Sequence, residues 1–285
     1  MPVPLLCLFL AAEPEAVEIM FKMAANVERQ VEARRQYVYD QVVRSTLTRS
    51  NGNVARREKR EYTVIPTPDH TEKKLVSFEG AYGTGGKTLT PYSEPGFKYK
   101  ETDIDGELIE DLTDELVDAK DSRDGIPHAL FPLRTRDLPH YKYTHLGEVN
   151  HKGRRTYKIA FEPVKKKEKS YGIGDGDAED HEMRPWKGEA WIDAEEFQPV
   201  RISTDMAYGI PWGVKVFLGI NLRQTGFSVT YGRIAENVWF PVTYGTEFKV
   251  TVFWGYKRTI SLSMVSSNFR KTDVSSKINF DSTAR

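Results

Sequence analysis

Gly188-Glu189-Ala190-Trp191-Ile192-Asp193 is followed, across Ala194-Glu195-Glu196, by Phe197-Gln198-Pro199-Val200-Arg201-Ile202. Ala190 and Ile192 alternate with Glu189 and Asp193, and Val200 and Ile202 alternate with Arg201 and Ser203. The stretch reads as strand, tight turn, strand, because a period of two sends alternate side chains to opposite faces. Pro199 is acceptable at a strand start and not in its centre. One face in water and one covered is the mark of an antiparallel sheet.

The same pattern extends outward. Tyr37, Tyr39, Gln41, Val43, Ser45 and Leu47 share one side of a strand, and Asn51-Gly52 signals a hairpin. The return strand runs from Val54 to Ile65, and Lys73 to Glu79 forms a third. Residues 80–102 hold five glycines and two prolines and read as a long loop. Further strands are expected at Tyr141–Val149 and Arg154–Pro163, around Lys152-Gly153, then over 222–232, 237–251, 252–268 and 277–280. Two helices interrupt the series. Over 14–35, Val17, Met20, Ala24, Val27 and Val31 recur at helical spacing, and over 103–121 Ile104, Leu108, Leu112 and Leu116 form one stripe. An apolar helix or loop is expected near 210–218. The sum is a mainly β chain of about ten to eleven strands in meander order, curled into a barrel or packed as a sandwich.

Composition narrows the function classes. Lys+Arg and Asp+Glu are each 41, so the formal net charge is zero, and no bulk pull toward nucleic acid is indicated. The lone Cys7 excludes an intrachain disulfide. Residues 1–13 are short and apolar and resemble the end of a secretory signal, leaving 14–285 as a single domain. No stretch approaches the ~20 apolar residues of a spanning helix.

Motifs with chemistry are weak. Gly83-Thr84-Gly85-Gly86-Lys87-Thr88 resembles the end of a phosphate loop, but Pro91 and Pro95 follow where a helix should start. The acidic run Asp175 to Glu182 fails calcium-loop spacing, with Asp180 at its sixth position and Trp186 at its twelfth. The six histidines show no metal-ligand spacing, and no Gly-x-Ser-x-Gly elbow is present. No cofactor, metal or catalytic residue is assigned, and a non-enzymatic binding protein is expected. Charges such as Arg56, Glu58, Arg60, Lys158, Arg201, Lys249 and Lys257 are read as a water-facing exterior, which argues against a transmembrane barrel.

The Gly188-x-x-Trp191-Ile192-Asp193 hairpin with Pro199-Val200-Arg201-Ile202 resembles the outer-membrane lipoprotein-sorting (LolA/LolB-like) superfamily. So do Gly153-Arg154-Arg155-Thr156-Tyr157-Lys158-Ile159, ending at Pro163, and the helix leading into Tyr37. The match is best over 139–269 and fair over 14–80. The chain departs from the family by extra segments near 80–103 and 164–187. The resemblance implies a strongly curved, half-open antiparallel β-barrel with helices as lid or plug over an apolar cavity. It implies acyl chains of lipids or lipoproteins as partners, an envelope or periplasmic location, and lipid carriage. The expected cavity lining is Tyr157, Ile159, Phe161, Ile192, Val200, Ile202, Phe240, Val250, Val252, Ile260 and Leu262. Trp191 has the opposite parity. The alternative is an envelope scaffold with a filled barrel that meets a protein or glycan through loops 80–102 and 164–187.

Overall fold

A computed structural model describes residues 15–67, 71–117, 134–164, 186–206, 220–252 and 256–272. The expected signal segment, the loop 165–185, the apolar stretch 210–218 and the strand at 277–280 lie outside these residues.

The chain opens with α1 (Ala16–Arg34), then β1 (Tyr37–Arg49), β2 (Val54–Pro66), β3 (Thr71–Tyr82) and a three-residue β4 (Thr90–Tyr92). α2 (Ile104–Val117) follows, then a single 3₁₀ turn at Leu138–His140. Seven more strands follow among the described residues: β5 (Tyr141–His151), β6 (Arg154–Pro163), β7 (Trp186–Asp193), β8 (Pro199–Met206), β9 (Ile220–Ala235), β10 (Val238–Val252) and β11 (Tyr256–Lys271). They form one 11-stranded sheet in the order β4-β3-β2-β1-β11-β10-β9-β8-β7-β6-β5. Every pairing is antiparallel. β4 and β5 are the two edges, so the sheet is not closed.

The chain meanders outward from β1 to β4, crosses to the far edge, and returns from β5 until β11 docks beside β1. α2 belongs to that crossing and packs on β1 and β2. α1 packs on β10 and β5. The sheet curls around it. Asn26 of α1 donates to the carbonyls of Glu196 and Phe197 in the β7–β8 turn, and Gln30 donates to the Asn237 carbonyl in the β9–β10 turn. Between them Glu28 accepts from Thr135, on the approach to β5. These three residues span about 6 Å of helix axis. On a flat sheet the outermost of those elements would stand about 20 Å apart, at 4.8 Å per strand.

Turn chemistry fixes the hairpins. Lys152 and Gly153 both take positive φ, 52° and 86°, as a two-residue turn matched to strand twist requires. Gly188 and Gly226 serve close approach: a Cβ on either would stand 2.0 Å from a backbone carbonyl oxygen of β8.

The inner face of β1 carries Tyr39, Gln41, Val43, Ser45 and Leu47, all buried as the alternation implies. α1 differs in phase. It buries Ile19, Met20, Met23, Ala24 and Val27, while Val17 is 58% exposed and Phe21 56%. The segment 80–102 also differs from a plain loop. Besides β4, it stacks Tyr82 on Tyr99 at 4.9 Å and Tyr92 on Phe97 at 4.8 Å, which ties it to the sheet.

Candidate ligand-binding site

The concave face has two regions of unlike chemistry. Beneath α1 it is apolar. Tyr157, Ile159 and Phe161 of β6 alternate inward beside Ala190 and Ile192 of β7 and Val200 and Ile202 of β8. Phe227, Val229 and Tyr231 of β9 continue the wall to Phe240 and Val250 of β10 and to Ile260 and Leu262 of β11. All the residues expected to line a cavity are thus buried in one connected core, except that the Val252 side chain lies outside the described residues. Edge-on aromatic contacts fill the wall: Tyr39 to Phe240 at 5.2 Å and Trp186 to Phe227 at 4.9 Å. Trp191 sits on the opposite face, with Lys158 and Arg201 over its ring at 5.2 and 5.3 Å.

Beneath α2 the concave face is ionic, which corrects the expectation for β2. Arg56, Glu58 and Arg60 do share one face, but that face points inward and all three are buried. Their charge is met by α2 and its approach. Arg56 pairs with Asp103, each 1% exposed. Arg60 reaches Glu58, Glu110 and Asp114, each at 2.7 Å. Tyr92 donates to Glu58 at 2.6 Å. From β11, Arg258 holds Asp105 at 2.7 Å and Tyr256 donates to the same carboxylate. Asp103 works twice, because its other oxygen accepts the Gly106 amide at 3.1 Å and so caps α2. Burial and the contact with Glu58 both push the Tyr92 phenol above its ordinary range. Burial and Asp105 do the same for Tyr256.

At the rim, where α1 meets the β7–β8 and β9–β10 turns, a cleft of about 330 Å³ opens. It is lined by Asn26, Arg29, Gln30, Glu196, Gln198 and Asn237. Asn26 and Gln30 are fasteners. Gln30 also accepts the Trp239 amide at 3.1 Å, alongside its bond to Asn237. Glu196 accepts from the Trp239 indole at 2.8 Å, from Arg233 at 3.3 Å and from Arg154 at 3.4 Å. Arg154 also pairs with Asp193 at 2.6 Å. Asp193 accepts the Glu195 and Glu196 amides and so ties the turn; this is the work of a strand-end aspartate. Sequence reasoning missed this cleft. Its residues come from three remote segments, and the one local signal was polar Asn26 and Gln30 flanking apolar Val27.

No protein-family profile matches the chain, and no curated protein does. Solved structures do. An outer membrane lipoprotein-sorting protein domain from Vibrio parahaemolyticus is 10% identical, with 91% of this chain and 96% of that chain covered and a TM-score of 0.34. A DUF1329 family protein from Desulfovibrio piger is 14% identical, with 93% and 96% covered and a TM-score of 0.35. A LolA superfamily protein from Nitrosomonas europaea is 8% identical, with 88% and 94% covered and a TM-score of 0.33. Among the described residues, no helix is long and apolar enough to cross a membrane.

Proposed function

We propose that this is a non-enzymatic envelope protein that shelters acyl chains of a lipid or lipidated protein against the apolar concave wall under α1. One observation carries the reading. α1 covers that wall, yet among the described residues its side-chain hydrogen bonds to the sheet and turns come from Asn26, Glu28, Gln30 and Arg34, all in its second half. The first half rests on the buried Ile19, Met20 and Met23 and on Lys22 over the Phe197 ring at 4.8 Å, and presents Val17 and Phe21 to solvent. A helix fastened at one end and greasy at the other can lift from the wall and keep contact with an inserted chain. Burial contributes about 0.8 kcal/mol per CH₂, so a sixteen-carbon chain supplies on the order of 12 kcal/mol gross. Ordering costs reduce that figure. Such binding needs a dry, shaped wall rather than catalytic groups, and β6 to β11 supply one.

Native mass spectrometry of gently purified protein is expected to show co-purified lipid, and a fluorescent fatty acid is expected to bind saturably. Protein that carries no lipid and takes up no added fatty acid would remove this reading.

A further inference from the structure

We propose that the concave wall carries a site for a hydroxyl group on the acyl chain, formed by Gln41 of β1 and Ser266 of β11. The inference rests on the acyl-binding reading above and adds a chemical class of ligand to it.

β11 turns Ile260, Leu262, Met264 and Ser266 inward, two residues apart and all buried. Ser266 stands opposite Gln41, which lies between Tyr39 and Val43 in the inward row of β1. Both polar side chains are enclosed: Gln41 is 1% exposed and Ser266 7%. Apolar groups flank the pair on both sides. Val43 faces Met264 at the next inward position, and Tyr39 meets the Phe240 ring on the other side.

Hydrogen-bonding capacity at this spot is not used up. The Gln41 carboxamide donates to the Ser266 hydroxyl at 3.3 Å, a long bond. Its own carbonyl oxygen, Oε1, is buried and has no partner among the described residues. The Ser266 hydroxyl accepts in that bond and still has a proton to give. Elsewhere on the concave face, buried hydroxyls are provided for. Ser45 bonds to Thr113 at 2.7 Å, Thr204 donates to the Phe227 carbonyl at 3.1 Å, and Thr246 donates to the Gly226 carbonyl at 2.7 Å. A bare buried oxygen is costly to the free protein, and in a wall that meets a ligand it marks where that ligand brings a donor.

The surroundings select the donor. A cation here would need a carboxylate beside it. Glu58, an inward carboxylate of the adjoining β2, stands opposite Ser45, two inward positions away, and is held by Arg60 and Tyr92. An ester or carboxylate oxygen only accepts, and would face the bare oxygen. Gln41 and Ser266 are joined to each other, so one ligand atom has to serve both. A hydroxyl does so: its proton goes to Gln41 Oε1 and its lone pair takes the Ser266 proton. With apolar side chains before and behind, that hydroxyl belongs along a hydrocarbon chain rather than on a head group. The ligand class is a hydroxylated fatty acyl chain.

The test uses the full chain and the displacement of a bound fluorescent fatty acid. The competitors are stearate, β-hydroxystearate and a hydroxystearate substituted at mid-chain, on wild type, Gln41→Met and Ser266→Ala. Wild type is expected to bind one of the hydroxystearates about tenfold tighter than stearate, as two added hydrogen bonds imply. Which of the two gains places the hydroxyl along the chain. Gln41→Met nearly conserves volume and removes the bare oxygen, so the ligand-free variant should keep or raise its urea midpoint. It should bind stearate as wild type does, and the favoured hydroxystearate less tightly than stearate, because the hydroxyl is then buried without its acceptor. Ser266→Ala keeps the Gln41 oxygen and should lose only part of the preference. Equal affinity of wild type for all three acids, or a preference that survives Gln41→Met, overturns the hydroxyl site while acyl binding stands. A lowered midpoint in Gln41→Met overturns it too, since the oxygen is then already satisfied in the free protein. Failure of all three acids to bind wild type overturns both readings.

Discussion

Gly106 lies against Arg56: a Cβ on Gly106 would stand 2.8 Å from the Arg56 Nη2 and 2.9 Å from Oδ2 of Asp103. The glycine is a notch in α2 through which the buried Arg56–Asp103 pair passes beneath the helix. Inside a helix, glycine to alanine ordinarily gains about 0.5–1 kcal/mol. Here the methyl meets a rigid guanidinium fork, and overpacking of this kind costs about 1–3 kcal/mol. Gly106→Ala is therefore expected to lower the urea midpoint, and a raised midpoint would show that the pair yields freely.

The ionic seam makes a graded prediction. Arg60 is 3% exposed and bonds to Glu58, Glu110 and Asp114. Removing one partner of a buried pair leaves the other charge stranded, at about 3–5 kcal/mol. Arg60→Met should fall in that range by chemical denaturation. Asp114 is 46% exposed, so Asp114→Asn should cost less than about 1 kcal/mol. Equal losses would mean that the seam does not hold α2 as drawn.

Alkaline pH should open the same seam. Burial, then the bond to Glu58, raises the Tyr92 phenol above its ordinary 10.0, and burial with Asp105 raises Tyr256 likewise. The folded state favours the neutral phenols, while the unfolded chain ionises near its ordinary value. Stability is then intact below that value and is lost as pH rises through it toward the higher folded values. Unfolding free energy should fall between about pH 9.5 and 11, with a smaller fall in the Tyr92→Phe, Tyr256→Phe double variant. A difference in tyrosinate absorbance between wild type and the double variant that already appears near pH 10 in the native proteins would contradict the assignment.

What the chain shows by reading and what it hides follow from one property of strands. A period of two tells which residues share a face, so the Tyr37 to Leu47 row and the Tyr157, Ile159, Phe161 row were legible. It does not tell which face turns inward. Apolar rows declare themselves. Arg56, Glu58 and Arg60 looked like a solvent face, because their partners Asp103, Glu110 and Asp114 lie about fifty positions away on a helix that reads as merely acidic. The α1 phase was ambiguous for a related reason. The apolar residues spread round more than one face, so periodicity alone placed the exposed Val17 in the stripe and left out the buried Ile19 and Met23. The cleft was least legible, since Asn26, Gln198 and Asn237 meet only once the sheet has curled.

Curling also sets the last prediction, on whether α1 is a lid or a plug. Its second half is fixed by Asn26 to the β7–β8 turn and by Gln30 to the β9–β10 turn. Each side-chain bond to a neutral group contributes about 1 kcal/mol and the two residues make four, so Asn26→Ala with Gln30→Ala should remove on the order of 4 kcal/mol of fastening. If α1 is a lid, that loss appears locally. Amide exchange over residues 16–34 should accelerate by roughly tenfold or more, while β6 to β9 keep their protection. Acyl ligands should also enter faster, because less free energy is needed to lift the helix. If α1 is instead a plug on which the sheet is built, Ile19, Met20 and Met23 cannot leave without exposing the wall. The same double variant would then lower protection in helix and strands together, by the same factor. Exchange measured strand by strand separates the two, and global loss would count against a helix that opens by itself.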